Sequence, residues 1–238
     1  LPANCTAGAK MATRVVGAYS MIRKQFGLEI GKFEGIQEPL AEISGLSYLL
    51  EAARRYTCAA IDQGSKPAVV TAILKYHSTE IFRKIINHSM DIVGGAGISL
   101  GPRNVLGHPY IAAPIGVTVE GANILTRTLM IFGQGAIRCH PYALEEIYAI
   151  DTNDLGRFDN AFWGHQAHII TNLVRLIVFE LTRAFCVVPA RFNSTARYYQ
   201  KLTWVSTKFA FFADVAMILF GGSLKLRERI TARFGDIL

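Results

Sequence analysis

The stretch TEIFRKIINHSMDIVGG, Thr79 to Gly95, reads as a helix followed by its end. Phe82, Ile86, Met90 and Val93 recur at steps of three and four, which gathers them on one helical face, and paired glycines follow at once. The same period runs upstream, in Met11, Val15, Ala18 and Ile22 and again in Leu40, Ile43, Leu50, Ala53 and Thr57. Breaks fall at Gly27, at Gly31 to Gly35, and at DQGSKP (62–67), where Ser65 is a candidate N-cap and Pro67 suits a first turn. No sustained alternation of apolar and polar residues asks for a strand.

Three long helices, a Pro/Gly-rich connector from Ser99 to Pro114 and a fourth helix from about Ala122 make an all-α, four-helix up-and-down bundle over residues 1–150. DTNDLGRFDN (151–160) reads as a polar linker. Beyond it, helical segments near 161–188 and 198–220 form a helical extension over 151–238. The chain has no internal repeat.

The 238 residues are 51% hydrophobic, enough for a substantial core, and the chain reads as globular. It opens Leu-Pro-Ala-Asn without a methionine or a signal-like segment, so a fragment of a longer protein is expected. The charge of +7 is spread along the sequence rather than packed into a stripe, which suits acidic small partners or anionic lipid and argues against nucleic acid. Cys5, Cys58, Cys139 and Cys186 are far apart in no metal-ligand spacing and read as reduced, buried thiols of a cytoplasmic protein. No transmembrane run is expected: Asn104–Val119 is broken by prolines and glycines, and His168–Ala190 by Arg175, Glu180 and Arg183. No metal site is expected either. His165 and His168 are three apart with no third ligand in view, and His108 and His140 flank prolines as loop contacts.

One carboxylate stands out. Glu120, in APIGVTVEGANILTRTLMIFGQG (113–135), has no acidic neighbour between Asp91 and Glu145, and Gly121 follows it. Taken alone it is a helix-start residue favoured by the macrodipole. RKQFG (23–27), taken alone, is a basic helix end, and Gly94–Gly97 a helix cap.

Together these stretches resemble the C-terminal helical domain of the acyl-CoA dehydrogenases. RKQFG, followed by Phe33 and Gln37, is similar to the family's Arg-x-x-Phe-Gly signature; DIVGGAGI (91–98) to its Gln-x-x-Gly-Gly-x-Gly turn; and VEGANILTR (119–127) to its Glu-Gly-Thr-x-x-x-x-Arg motif. Their order and spacing match over about residues 4–150. CHPYALEEIYAI (139–150) and the helices after it look like the extension of bacterial fatty-acid β-oxidation enzymes.

The resemblance implies FAD and a fatty acyl-CoA substrate, oxidised to the trans-2-enoyl-CoA, with Glu120 as the base that removes the α-proton. The backbone of Glu120 and Gly121 would hold the thioester carbonyl. Arg23, Gln25 and Phe26 would contact the flavin dinucleotide of a neighbouring subunit, which implies a homo-oligomer. Asp91, Gly94, Gly95, Ala122 and Asn123 would lie along the cofactor. The family also implies electron-transfer flavoprotein or a similar acceptor. Two departures matter: Asp91 replaces glutamine, and Ala122 replaces a threonine and so lacks its hydroxyl. Such a base works best in a water-poor surround, where desolvation strengthens it. A non-catalytic helical module on the same scaffold is the alternative.

The extension raises one further expectation. Leu202, Val205, Phe209, Phe212, Ala216 and Leu219 form a stripe, followed by Lys225, Arg227 and Arg229, a pattern that suits peripheral docking on the inner face of the cytoplasmic membrane.

Overall fold

The computed structural model describes residues 1–189 and 191–238. The fold is all-α, and the chain divides into two compact units, Leu1–Thr126 and Arg127–Leu238. The division falls earlier than residue 150, because the residues around CHPYALEEIYAI pack with the helices that follow them.

In the first unit, α1 (Pro2–Ile22), α2 (Glu34–Asp62) and α3 (Ala68–Val93) pack on one another, and α5 (Gly107–Thr118) completes a four-helix bundle against α3. A short turn of helix, α4 (Gly95–Ile98), follows α3. The fourth bundle helix therefore lies inside the stretch expected to be a connector. Pro109 stands in the first turn of α5, where a missing N–H costs nothing, and Pro114 is carried within a helix of only 12 residues.

The buried face of α1 differs from the expected one. Ala9, Ala12 and Val16 are fully buried, whereas Ala18 and Ile22 are exposed. Small residues let α1 approach α2 and α3 closely: a Cβ on Gly8 would stand 2.6 Å from the Phe82 ring, and Thr13 Oγ1 meets Ser47 Oγ at 2.8 Å. On α2 and α3 the periodic reading holds, with Ile43, Leu50 and Thr57, and Ile86, Met90 and Val93, all buried. Pro67 itself precedes α3 without a side-chain cap, so Ser65 does not cap it.

Between α1 and α2 the chain forms two short strands, β1 (Lys24–Gln25) and β2 (Leu28–Glu29), paired antiparallel. Phe26 (φ 51°) and Gly27 (φ 83°) make the two-residue turn between them, with left-handed backbone at both positions. RKQFG is thus a hairpin beyond the helix rather than the helix end.

Ala122 precedes a single turn, α6 (Asn123–Leu125), and a π-helical stretch spans Thr126–Gln134. The second unit continues through α7 (Gly135–Cys139), α8 (Ala143–Asp151), α9 (Leu155–Thr182), α10 (Ala196–Phe220) and α11 (Glu228–Ile237). The expected linker at 151–160 is a tight turn into α9, capped by Asp154, whose side chain accepts from the Arg157 N–H. Phe132 is the centre of this unit's core, stacked on Phe234 at 4.2 Å and edge-on to Phe209. Arg127 closes the same region with a two-pronged ion pair to Asp236.

Two composition-based readings are corrected. Ala196–Leu226 is 31 residues long with a mean hydropathy of 1.6, long and apolar enough to cross a membrane by length and composition alone. The four thiols are free, but only Cys5 is buried.

Candidate active site

Two of the family-like segments meet around one cavity of about 580 Å³ in the first unit. Arg23, Gln25 and Phe26 reach it from the hairpin, Gly94, Gly95 and Ala96 from the end of α3, and Tyr19, Phe33 and Ile36 from between. The hairpin turn holds Phe26 outward, 95% exposed, with its ring edge-on to Phe33. Nothing lies within 4 Å of where a Cβ on Gly94 or Gly95 would stand, so bare backbone faces open space. Gly94 itself has φ 56°. An aromatic ring, a guanidinium and exposed backbone along an open groove suit a planar, phosphate-bearing molecule. Asp91 is exposed on α3 and does not line the groove.

Glu120, Gly121, Ala122 and Asn123 lie elsewhere in this unit, on the turn after α5. Glu120 has φ 55° and Gly121 φ 89°, two successive left-handed residues, and only the second is a glycine. The Glu120 side chain is 62% exposed and lies 3.8 Å from the Leu1 amino nitrogen. The water-poor surround expected for a strong base is not built by this unit. Ala122 offers no cap to α6.

Asn123 is buried, its Oδ1 accepts from Lys75 Nζ at 2.7 Å, and its amide donates to Thr79 Oγ1 at 2.9 Å and Glu80 Oε1 at 2.8 Å, so both amide protons are engaged within the protein.

Sequence reasoning missed Lys75. This buried lysine also donates to the Gly121 carbonyl oxygen. The signal was available: Lys75 is in step with Ser78, Thr79 and Phe82 on the inward face of α3, where a cation is out of place.

A second polar cluster occupies the Arg127–Leu238 unit. Asp214, on α10, is fully buried, with His140 Nε2 2.9 Å and His165 Nε2 3.6 Å from its Oδ1 and His168 Nε2 3.9 Å from its Oδ2. The third partner that His165 and His168 lacked in sequence is therefore supplied by distant residues. His140, His168 and Asp214 offer atoms within 4.8 Å of one another, a donor set that could hold a transition metal. The hydrogen bonding favours a polar network instead. The Tyr142 and Ala143 N–H groups donate to His140 Nδ1, which leaves that ring's proton on Nε2, toward Asp214. A ring in this form donates and does not ligate. His165 faces a carboxylate with each nitrogen, Glu146 at 2.8 Å and Asp214. Burial pushes His168 below its ordinary value, and Asp214 opposes that shift.

Comparison with known proteins fits this geometry. The family model described as the acyl-CoA dehydrogenase C-terminal domain matches residues 2–131, and the model described as the bacterial-type acyl-CoA dehydrogenase C-terminal region matches residues 137–238. Among solved structures, an acyl-CoA dehydrogenase complexed with FAD from Bacillus anthracis superposes with a TM-score of 0.71 at 18% identity, over 99% of this chain and 38% of that one. A structure described as the FAD complex of PigA gives a TM-score of 0.53 at 19% identity, over 58% of this chain and 35% of that one. Both likenesses are of fold, and this chain spans well under half the length of either protein.

Proposed function

The chain belongs to the acyl-CoA dehydrogenase family, and on that premise we propose that it supplies the catalytic base and part of the FAD site of an enzyme that oxidises fatty acyl-CoA to trans-2-enoyl-CoA. The observation that carries the proposal is the Glu120–Gly121 turn, a lone carboxylate on left-handed backbone where the family's glutamate is expected. FAD suits the groove around Arg23, Phe26, Gly94 and Gly95, where bare backbone and a guanidinium face open space. The flavin supplies the acceptor for the substrate's β-hydrogen, taken as hydride.

Glu120 takes the α-proton, so the Cα–H electron pair becomes the new double bond as the β-hydrogen leaves. The Glu120 N–H is the donor for the thioester carbonyl, whose oxygen gains charge as the proton departs. Enclosure of the exposed carboxylate comes from parts of the enzyme outside this chain. Arg23 and Phe26 serve the flavin of a neighbouring subunit in a homo-oligomer, and electrons pass on to an electron-transfer flavoprotein or similar acceptor.

A peripheral contact with anionic membrane is part of the same reading. Leu202, Val205, Phe212 and Leu219 are exposed along α10, and Lys225, Arg227 and Arg229 are exposed beyond it. That combination supplies apolar area and attraction to lipid headgroups.

Glu120→Gln in the full-length enzyme tests the chemistry, since the amide keeps the shape and loses the base. Flavin absorbance is expected to persist while turnover nearly disappears. Turnover within about tenfold of wild type would correspond to no more than about 1.4 kcal/mol of barrier, too little for an essential base, and would favour a non-catalytic helical module.

A further inference from the structure

A buried ammonium is costly unless its protons find acceptors. Lys75, on α3, has two: the Gly121 carbonyl oxygen and, at 2.7 Å, Asn123 Oδ1. Asn123 passes the contact on to Thr79 and Glu80, and Glu80 holds Arg83 through its other oxygen. The network runs without a gap from α3 to the peptide that follows Glu120.

That peptide needs holding. Glu120 occupies a backbone conformation that side chains other than glycine's disfavour, and such a residue persists only where its surroundings fix it. Lys75 and the Thr126 hydroxyl, at 3.3 Å, both donate to the Gly121 oxygen.

We infer that Lys75 is a positioning residue for the proposed reaction: its ammonium pins the Glu120–Gly121 turn through the Gly121 oxygen and through Asn123. The inference rests on Glu120 being the base. Burial pushes Lys75 below its ordinary 10.5, while Glu120 and then Glu80 pull it back up. A side chain at position 75 without a donor leaves the Gly121 oxygen and Asn123 Oδ1 without the ammonium and loosens the turn that carries Glu120.

The test compares kcat and KM separately, with flavin content and melting temperature, for the full-length enzyme and its Lys75→Met, Lys75→Gln and Lys75→Arg variants, alongside Glu120→Gln. Lys75→Met should keep its flavin and lose roughly tenfold or more in kcat with little change in KM. Lys75→Gln, which keeps a donor for the Gly121 oxygen, should lose less kcat, and Lys75→Arg, which keeps both donors and charge, less still. A kcat within about twofold of wild type in flavin-loaded Lys75→Met overturns the inference and leaves Lys75 a packing residue. Should Lys75→Met not be recovered folded, the Gln and Arg variants carry the same comparison. A Glu120→Gln enzyme that still turns over would instead sink the assignment of the base, whatever position 75 does.

Discussion

His140 Nε2 lies 2.9 Å from Oδ1 of Asp214, a carboxylate with no solvent exposure in the middle of α10. The contact is short but poorly aligned, and His165 and His168 are further partners of the same carboxylate. Asp214→Asn leaves the shape and removes the charge that three imidazoles face. Loss of a buried partner of this kind costs about 1–3 kcal/mol, read as a lower midpoint in urea unfolding. A change too small to measure would mean that the imidazoles do not depend on the carboxylate.

Glu51 sets an acid limit in the other unit. Arg54 holds it with two bonds of 3.0 Å, Arg55 donates at 2.6 Å, and Lys10 of α1 lies at 3.0 Å. The Arg54 hydrogen bonds first, then those of Arg55 and Lys10, hold the carboxyl far below its ordinary 4.5. Because the folded value is the depressed one, the stabilisation is complete above about pH 4.5 and is lost as pH falls below it. Glu51→Gln should flatten the stability profile between about pH 5 and 3 and change little with added salt, whereas the wild-type slope should weaken in salt. Parallel profiles for the two proteins would contradict this.

The four-helix class was legible because Ile43, Leu50, Ile86 and Met90 carry the helical period over long stretches. The face of α1 was not. Alanines 9 and 12 carry little hydrophobic signal, yet they decide the closest approach between helices. α5 was hidden by its prolines, Pro109 in its first turn and Pro114 within it. The groove at RKQFG and Gly94–Gly95 was marked by those two motifs, since it is built of backbone and three neighbouring residues. The link between Asn123 and Lys75 was not legible, because a hydrogen-bond network between residues 48 apart has no local signature. The Asp214 cluster was not assembled for the same reason: His165 and His168 share α9, but His140 follows α7 and Asp214 lies on α10.

Gly121→Ala addresses the turn without touching the carboxylate. At φ 89° a Cβ crowds the neighbouring carbonyl, for a cost of about 1–2 kcal/mol. The melting temperature of the full-length enzyme should fall accordingly. Turnover should fall further than stability explains, since relaxing the turn moves Glu120 from its position. A lower melting temperature with wild-type turnover would show that the turn serves folding alone.

The exposed stripe of α10 gives the last prediction. Leu202, Val205, Phe212 and Leu219 follow one another at steps of three and seven, which aligns them on one side of the helix; two members of the expected stripe depart from it, Ala216 being buried and Phe209 packed against Phe132. Arg227 stacks over the Phe220 ring at 4.6 Å, so the basic segment is anchored beside the helix end. A helix lying in the lipid interface would bury the first set and set these cations against anionic headgroups, with the attraction screened by salt. The full-length enzyme should therefore sediment with anionic liposomes at low salt, and less so at high salt. Changing Leu202, Phe212 and Leu219 together to Ser should release it, and neutralising Lys225, Arg227 and Arg229 should remove the salt dependence. Failure of the intact enzyme to sediment with such liposomes at low salt would leave the stripe to be covered by protein instead, and an assembly that dissociates on the triple Ser change would confirm that outcome.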